Sequence, residues 1–174
     1  MQLTELAIPG VLLITLDRYD DNRGFFCERW SASKLKALGF DVAFAQDNFS
    51  RSKPGVVRGI HYQLTPPQGK LVGVTRGAVY DVAIDLRPDS AHFGQHVGVE
   101  LSDSNNRLLW IPEGCGHGFC VLGDQEADML YKVSGQYNPA GEGGIRWDDA
   151  DLAIDWPVDN PILSPRALAL EPFA

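Results

Sequence analysis

Two histidines stand in short, glycine-flanked segments from which an imidazole could enter a pocket. The first lies in Arg58-Gly59-Ile60-His61-Tyr62-Gln63. Read as a strand, this run sends Arg58, Ile60 and Tyr62 to one face and Gly59, His61 and Gln63 to the other. A polar strand face with a histidine suits a cavity wall, and equally the half-exposed face of an ordinary antiparallel sheet. The second lies in Ile111-Pro112-Glu113-Gly114-Cys115-Gly116-His117-Gly118-Phe119. Here the glycines permit a sharp turn that returns the chain to the interior with His117 pointing in, although a loop histidine without a task fits the same letters. Further on come Tyr131-Lys132 and Tyr137. A tyrosine in this setting is usually core with its hydroxyl satisfied. Imidazole titrates near neutral pH, so these histidines could move protons or ligate a metal. His61 and His117 alone fall short of a zinc or non-haem iron ligand set, because Gln63 stands where a second histidine would help. His92 and His96 belong to another segment. The expectation is a pocket with no metal and no cofactor.

The elements that must hold these groups are short and mostly extended. Gly10 to Leu16 reads as a strand, Tyr19 to Gly24 as a turn and Phe25 to Trp30 as another strand. Ser31 to Gly39 predicts a helix, with serine to cap its start, Leu35 and Leu38 three apart, and Gly39 to end it. Strands follow at Val56 to Tyr62, Lys70 to Thr75 and Ala78 to Leu86, with Arg76-Gly77 predicting a tight hairpin between the last two. The series continues through Gln95 to Leu101, Arg107 to Ile111, Phe119 to Leu122 and Asp128 to Val133. Many short strands broken by Gly and Pro predict a mainly β sandwich, jelly roll or small barrel with one or a few short helices. The tail from Trp147 is expected to wrap over the barrel, because Trp147, Ile154 and Trp156 require burial.

The chain has 174 residues, enough for one domain (1–174) with a real core. Its formal net charge of -8 argues against nucleic acid as a partner, which needs a basic face. One small phosphorylated ligand needs only a local cluster of Arg and Lys. The first ten residues carry no basic start with a long apolar run, and no stretch reaches membrane-spanning length. Three cysteines, Cys27, Cys115 and Cys120, form no paired spacing. A reducing cytoplasm is therefore the expected setting.

Pro112-Glu113-Gly114-Cys115-Gly116-His117 matches the second half of a cupin signature. Beyond that, RGIHYQ (58–63), QGKLV (68–72), YDVAIDLR (80–87), WIPEGCGHGF (110–119) and IRWDD (145–149) resemble the dTDP-4-dehydrorhamnose 3,5-epimerase family. RGFFCE (23–28) and QDN (46–48) match as well, in the same order along nearly the whole chain. The resemblance implies a cupin-type jelly-roll barrel that epimerises C3 and C5 of dTDP-4-keto-6-deoxyglucose without a cofactor. It implies His61 as base, Tyr131 as the acid on the opposite face, and Lys70 as stabiliser of the enolate oxygen. Asp81, one strand on, is expected to hold Lys70 charged and oriented, an inference from the hairpin. Arg23, Arg58 and Arg166 match positions serving the ligand's phosphates and adjoining groups. Glu28, Gln46, Asp47, Asn48, Lys70, His117 and Glu142 match further ligand-contacting positions, and Tyr137 one that stacks on the thymine ring. The family's N-terminal segment crosses to a partner subunit, which implies a homodimer sharing Arg23 and Glu28.

One departure bears on the chemistry. The family tail reads Leu-Ser-x-Lys-Asp, with the Asp pairing the catalytic histidine. Here it reads Leu163-Ser164-Pro165-Arg166-Ala167. An Asp behind a His fixes its tautomer and stabilises the imidazolium, so its loss weakens the base. Asp151 and Asp155 are the nearest substitutes in sequence. The pattern leaves open a double epimerase, a single-centre (C3 or C5) epimerase of a related nucleotide sugar, a ketoisomerase on the same fold, and a sugar-binding cupin without activity.

Overall fold

A computed structural model describes residues 1–173. Strands of alternating apolar residues pair into two facing sheets of a jelly roll. The strands are β1 (Gln2–Glu5), β2 (Leu12–Thr15), β3 (Arg18–Asp21), β4 (Gly24–Cys27), β5 (Gln46–Ser52), β6 (Val57–Gln63), β7 (Lys70–Arg76), β8 (Ala78–Asp85), β9 (His96–Ser102), β10 (Arg107–Ile111), β11 (Cys115–Leu122), β12 (Ala127–Val133) and β13 (Glu142–Gly144). One sheet runs β1-β2-β10-β7-β12-β5, the other β13-β6-β11-β8-β9, and β3-β4 form a separate ribbon. Two short α-helices, α1 (Ala32–Ala37) and α2 (Pro165–Leu168), and a 3₁₀ turn at Pro139–Gly141 complete the described fold. No helix among the described residues is long and apolar enough to cross a membrane.

Period-two alternation divides β8 between two environments. Val79 and Ala83 enter the core between the sheets, with Val72, Val74, Leu109, Phe119 and Met129. Val82 and Ile84 face outward, where the chain after β13 covers them with Ile145, Leu152 and Trp156. On the far side, α1 buries Leu35 against Ile14, Leu71 and Trp110. Leu38 stays 47% exposed, and the Ser31 side chain makes no cap hydrogen bond, so serine does not close this helix as the sequence suggested.

Three local readings are corrected. The stretch read as a turn at Tyr19 to Gly24 holds β3 and the start of β4. Gly77, at φ +73°, does not close a hairpin, because β7 and β8 belong to different sheets and the chain passes from one to the other there. Both strands can bury an apolar face, so alternation alone cannot tell a hairpin from a change of sheet. His117 lies within β11 rather than on a loop. Gly114, at φ +81°, makes the turn before it, while a Cβ on Gly118 would stand 3.0 Å from the Arg58 carbonyl, so close β6–β11 packing demands glycine.

Candidate active site

Strand register decides which side chains reach the open space between the sheets. On the β6–β11 pair His61 stands opposite His117, but Phe119 stands opposite Arg58. Three steps on β6 therefore match two on β11, the signature of a bulge. The bulge re-phases β6, so Arg58, Gly59 and His61 all line one cavity while Ile60 turns outward. Strict alternation had put Arg58 on the face away from His61. The cavity measures about 520 Å³. Lys70 (β7), Tyr131 (β12) and Asn48 (β5) line it from the opposite sheet, and Tyr137, Glu142, Leu163 and Ala167 close its side.

His61 and Tyr131 thus enter one space from different sheets. Burial lowers the His61 pKa to about 4, opposed by the Glu142 charge and reinforced by Lys70. Its Nε2 is buried and meets no hydrogen-bond partner among the described residues. Ala167, 3% exposed, lines the same cavity from α2, whose first turn is capped by the Ser164 hydroxyl accepting from the Ala167 N–H at 3.1 Å. Neither Asp151 nor Asp155 lines this cavity; the carboxylate that does is Glu142. Burial acts to raise the Glu142 carboxyl, but hydrogen bonds donated by Arg166 (2.6 Å) and the Tyr137 hydroxyl (2.8 Å) outweigh it and hold it below its ordinary value.

Lys70 reaches from the six-stranded sheet to the other, donating from Nζ to the His61 carbonyl at 3.3 Å. Deep burial lowers its pKa to about 8, although Glu142 and Asp81 pull the other way. The expected pairing of Asp81 with Lys70 is corrected. Because β7 and β8 form no hairpin, Asp81 is no cross-strand neighbour of Lys70, and both its carboxylate oxygens lie 3.0 Å from Nε2 of His117. Burial raises the Asp81 carboxyl, and His117 partly offsets this. Asp81 and His117 are 0% and 5% exposed, so the pair fixes the His117 ring from below the cavity wall. The Tyr131 hydroxyl is hydrogen-bonded to Ser50 Oγ at 3.0 Å, and burial pushes its pKa up to about 12.

Other predicted residues divide by position. Arg58 donates from Nε to Ser52 Oγ at 2.9 Å and from its terminal nitrogen to the Arg51 carbonyl at 3.1 Å, which fixes its guanidinium beside the cavity. Gln46 accepts from the Tyr137 N–H at 3.0 Å and donates to Asn48 at 2.7 Å, which ties the rim to β5. Asp47 points to the other face of β5 and pairs with Lys132 at 3.0 Å, because adjacent residues of a strand without a bulge face opposite ways. Arg23 and Glu28 do not reach the cavity of their own chain. Arg23 bonds Asp21 in the exposed β3–β4 ribbon, and Glu28 pairs with Lys34 at 2.8 Å. Two contributors were missed. Gln68 is a buried wall residue whose Nε2 donates to the Gly135 carbonyl at 2.8 Å, and Ser50 touches the phenol. Ser50 was findable, since it lies two residues past Asn48 on the same strand face. Among the described residues no three His, Cys, Asp or Glu side chains converge on a point where a metal ion would sit.

Residues 5–174 match the model of a family described as dTDP-4-dehydrorhamnose 3,5-epimerase. The chain is 48% identical over 176 residues to a dTDP-4-dehydrorhamnose 3,5-epimerase of Pseudomonas aeruginosa, covering 100% of this chain and 97% of that one. It is 45% identical over 168 residues to a dTDP-4-dehydrorhamnose 3-epimerase of Streptomyces niveus, covering 95% and 81%. It superposes with TM-score 0.94 and 46% identity on a crystal structure of the dTDP-6-deoxy-D-glucose-3,5-epimerase of Legionella pneumophila in complex with dTDP-4-keto-L-rhamnose, covering 98% and 92%.

Proposed function

The chain belongs to the dTDP-4-dehydrorhamnose 3,5-epimerase family, and from that premise we propose how its cavity works. The reaction is epimerisation at C3 and C5 of dTDP-4-keto-6-deoxyglucose to dTDP-4-keto-rhamnose. The C4 ketone acidifies both neighbouring C–H bonds, because the carbanion formed is an enolate. His61, neutral at pH 7, takes the proton from one face. Lys70 meets the enolate oxygen with its ammonium, in a dry site where such a charge counts for most. Tyr131 returns a proton from the other face, and the centre inverts. The observation that carries this reading is the entry of His61 and Tyr131 into one cavity from opposite sheets, with Lys70 reaching between them. The ketone is already in the substrate, so the cycle calls for no redox cofactor.

Arg58 and Arg166 serve the diphosphate and its neighbours, Tyr137 stacks on the base, and Gln46, Asn48, His117 and Glu142 contact the remaining groups. Arg23 and Glu28 lie outside the cavity of their own chain, which fits a homodimer in which the ribbon completes the partner's site. Tyr19, Phe25 and Phe26 are 62%, 53% and 67% exposed on that ribbon, an apolar surface suited to being covered. The reading takes the chain as one domain and places it in the cytoplasm, in keeping with three free cysteines.

The test is incubation with dTDP-4-keto-6-deoxyglucose and identification of the product sugar by NMR. The doubly inverted sugar supports the reading, and loss of turnover in both His61→Ala and Tyr131→Phe supports the roles. A singly inverted product would move the assignment to a single-centre epimerase. That second reading draws on the unpartnered Nε2 of His61 and on the similarity to the Streptomyces niveus 3-epimerase.

A further inference from the structure

Two inversions on one bound sugar require the acid to be used twice. After the first proton is delivered, Tyr131 is a phenolate and His61 an imidazolium, and both must be reset before the second carbon reacts. His61 and Tyr131 both line the cavity and are both half-buried, so a bound sugar covers them alike, and the hydroxyl partner left to the phenol is on its own sheet. The Tyr131 hydroxyl forms hydrogen bonds with two side-chain atoms among the described residues: Ser50 Oγ at 3.0 Å and Met129 Sδ at 3.6 Å. A thioether sulfur holds no proton to give. Ser50 is half-buried on β5, the edge strand of its sheet, and makes no other side-chain hydrogen bond among the described residues.

We propose that Ser50 is a positioning and relay residue that reloads Tyr131 with a proton between the two inversions. The inference rests on the double-epimerase reading above. As the new C–H bond forms, the Tyr131 O–H bond breaks. The phenolate oxygen then takes the Ser50 hydroxyl proton while Ser50 Oγ takes one from water. His61 returns its extra proton to water, so the site is restored with no net gain or loss. Without the Ser50 hydroxyl the reset is slow, and the sugar leaves after one inversion.

The experiment compares the wild-type protein, Ser50→Ala and Ser50→Thr with dTDP-4-keto-6-deoxyglucose, following singly and doubly inverted sugars by NMR at early turnover. The expected result is a ratio of single to double inversion raised about tenfold in Ser50→Ala, the scale of one lost hydrogen bond, and returned towards wild type by the hydroxyl of Ser50→Thr. A product ratio in Ser50→Ala equal to wild type, with a native circular-dichroism spectrum, overturns the relay. A slower Ser50→Ala enzyme with an unchanged ratio also overturns it, since a purely structural role would slow both inversions alike. A wild-type protein that makes no doubly inverted sugar would overturn the double-epimerase reading itself, and the relay with it.

Discussion

Ala167→Asp should convert His61 into a stronger base. Ala167 is buried and lines the cavity that His61 enters, so a carboxylate there has little route to solvent. Arg166, the adjacent cation, is already engaged by Glu142 at 2.6 Å and would not neutralise it. The His61 imidazole starts at about 4 because burial opposes its charge. An opposite charge within a few ångströms raises a pKa by about one to three units, which would bring it to about 6. Two units correspond to about 2.7 kcal/mol of imidazolium stabilisation. The imidazole is neutral at pH 7 in both proteins, so the gain is expressed as basicity. If half of it reaches the transition state, turnover rises about tenfold. The assay is the pH dependence of kcat/KM, whose acidic limb should move up by about two pH units. Ala167→Asn, which adds shape without charge, should leave the limb in place. A folded Ala167→Asp protein with an unmoved limb and unchanged rate would refute the claim that His61 lacks only a carboxylate.

Other outcomes follow from the same geometry. Lys70 has a folded pKa of about 8 against an ordinary 10.5, so burial of its charge subtracts stability at neutral pH, and that cost fades as pH rises from 8 towards 10.5. Lys70→Met should therefore raise stability at pH 7 by about 1–3 kcal/mol while lowering kcat by about 100-fold or more, and thermal melts at pH 7 and pH 10 should show the gain shrinking. Asp81→Ala leaves a buried His117 ring nitrogen without its hydrogen-bond partner and should cost about 1–3 kcal/mol in urea denaturation. Gly59→Ala places a methyl 2.5 Å from Gly118 Cα and 2.6 Å from the His117 carbonyl, at φ +105°. It should push β6 off β11, costing at least about 2 kcal/mol and most of the activity, read by melting and by turnover.

Much of the architecture was legible because β8, β10 and β11 carry strong apolar runs. The histidine segments announced themselves through polar residues inside such runs, and Asp81 within Tyr80–Asp85 was a buried charge in waiting. What stayed hidden was set by tertiary pairing. The bulge that brings Arg58 beside His61 depends on how β6 meets β11, and no local pattern encodes it. β5 was not recognised as a strand because Gln46–Ser52 is an edge strand with one face on a polar cavity, which removes the usual alternation. The change of sheet at Gly77 imitates a hairpin turn, and the cross-strand contact expected between Asp81 and Lys70 failed with it, although the Asp81 charge still acts to raise the Lys70 pKa. Asp47 was grouped with Gln46 and Asn48 by motif, whereas the pleat separates it from them.

The central claim is that His61 takes protons from both carbons flanking the ketone. The most direct measurement is proton NMR of dTDP-4-keto-6-deoxyglucose with the protein in heavy water. The account predicts deuterium at C3 and at C5, both abolished in His61→Ala. Undiminished exchange at either carbon in His61→Ala, or no exchange with the wild-type protein while the sugar nucleotide still binds, would contradict it.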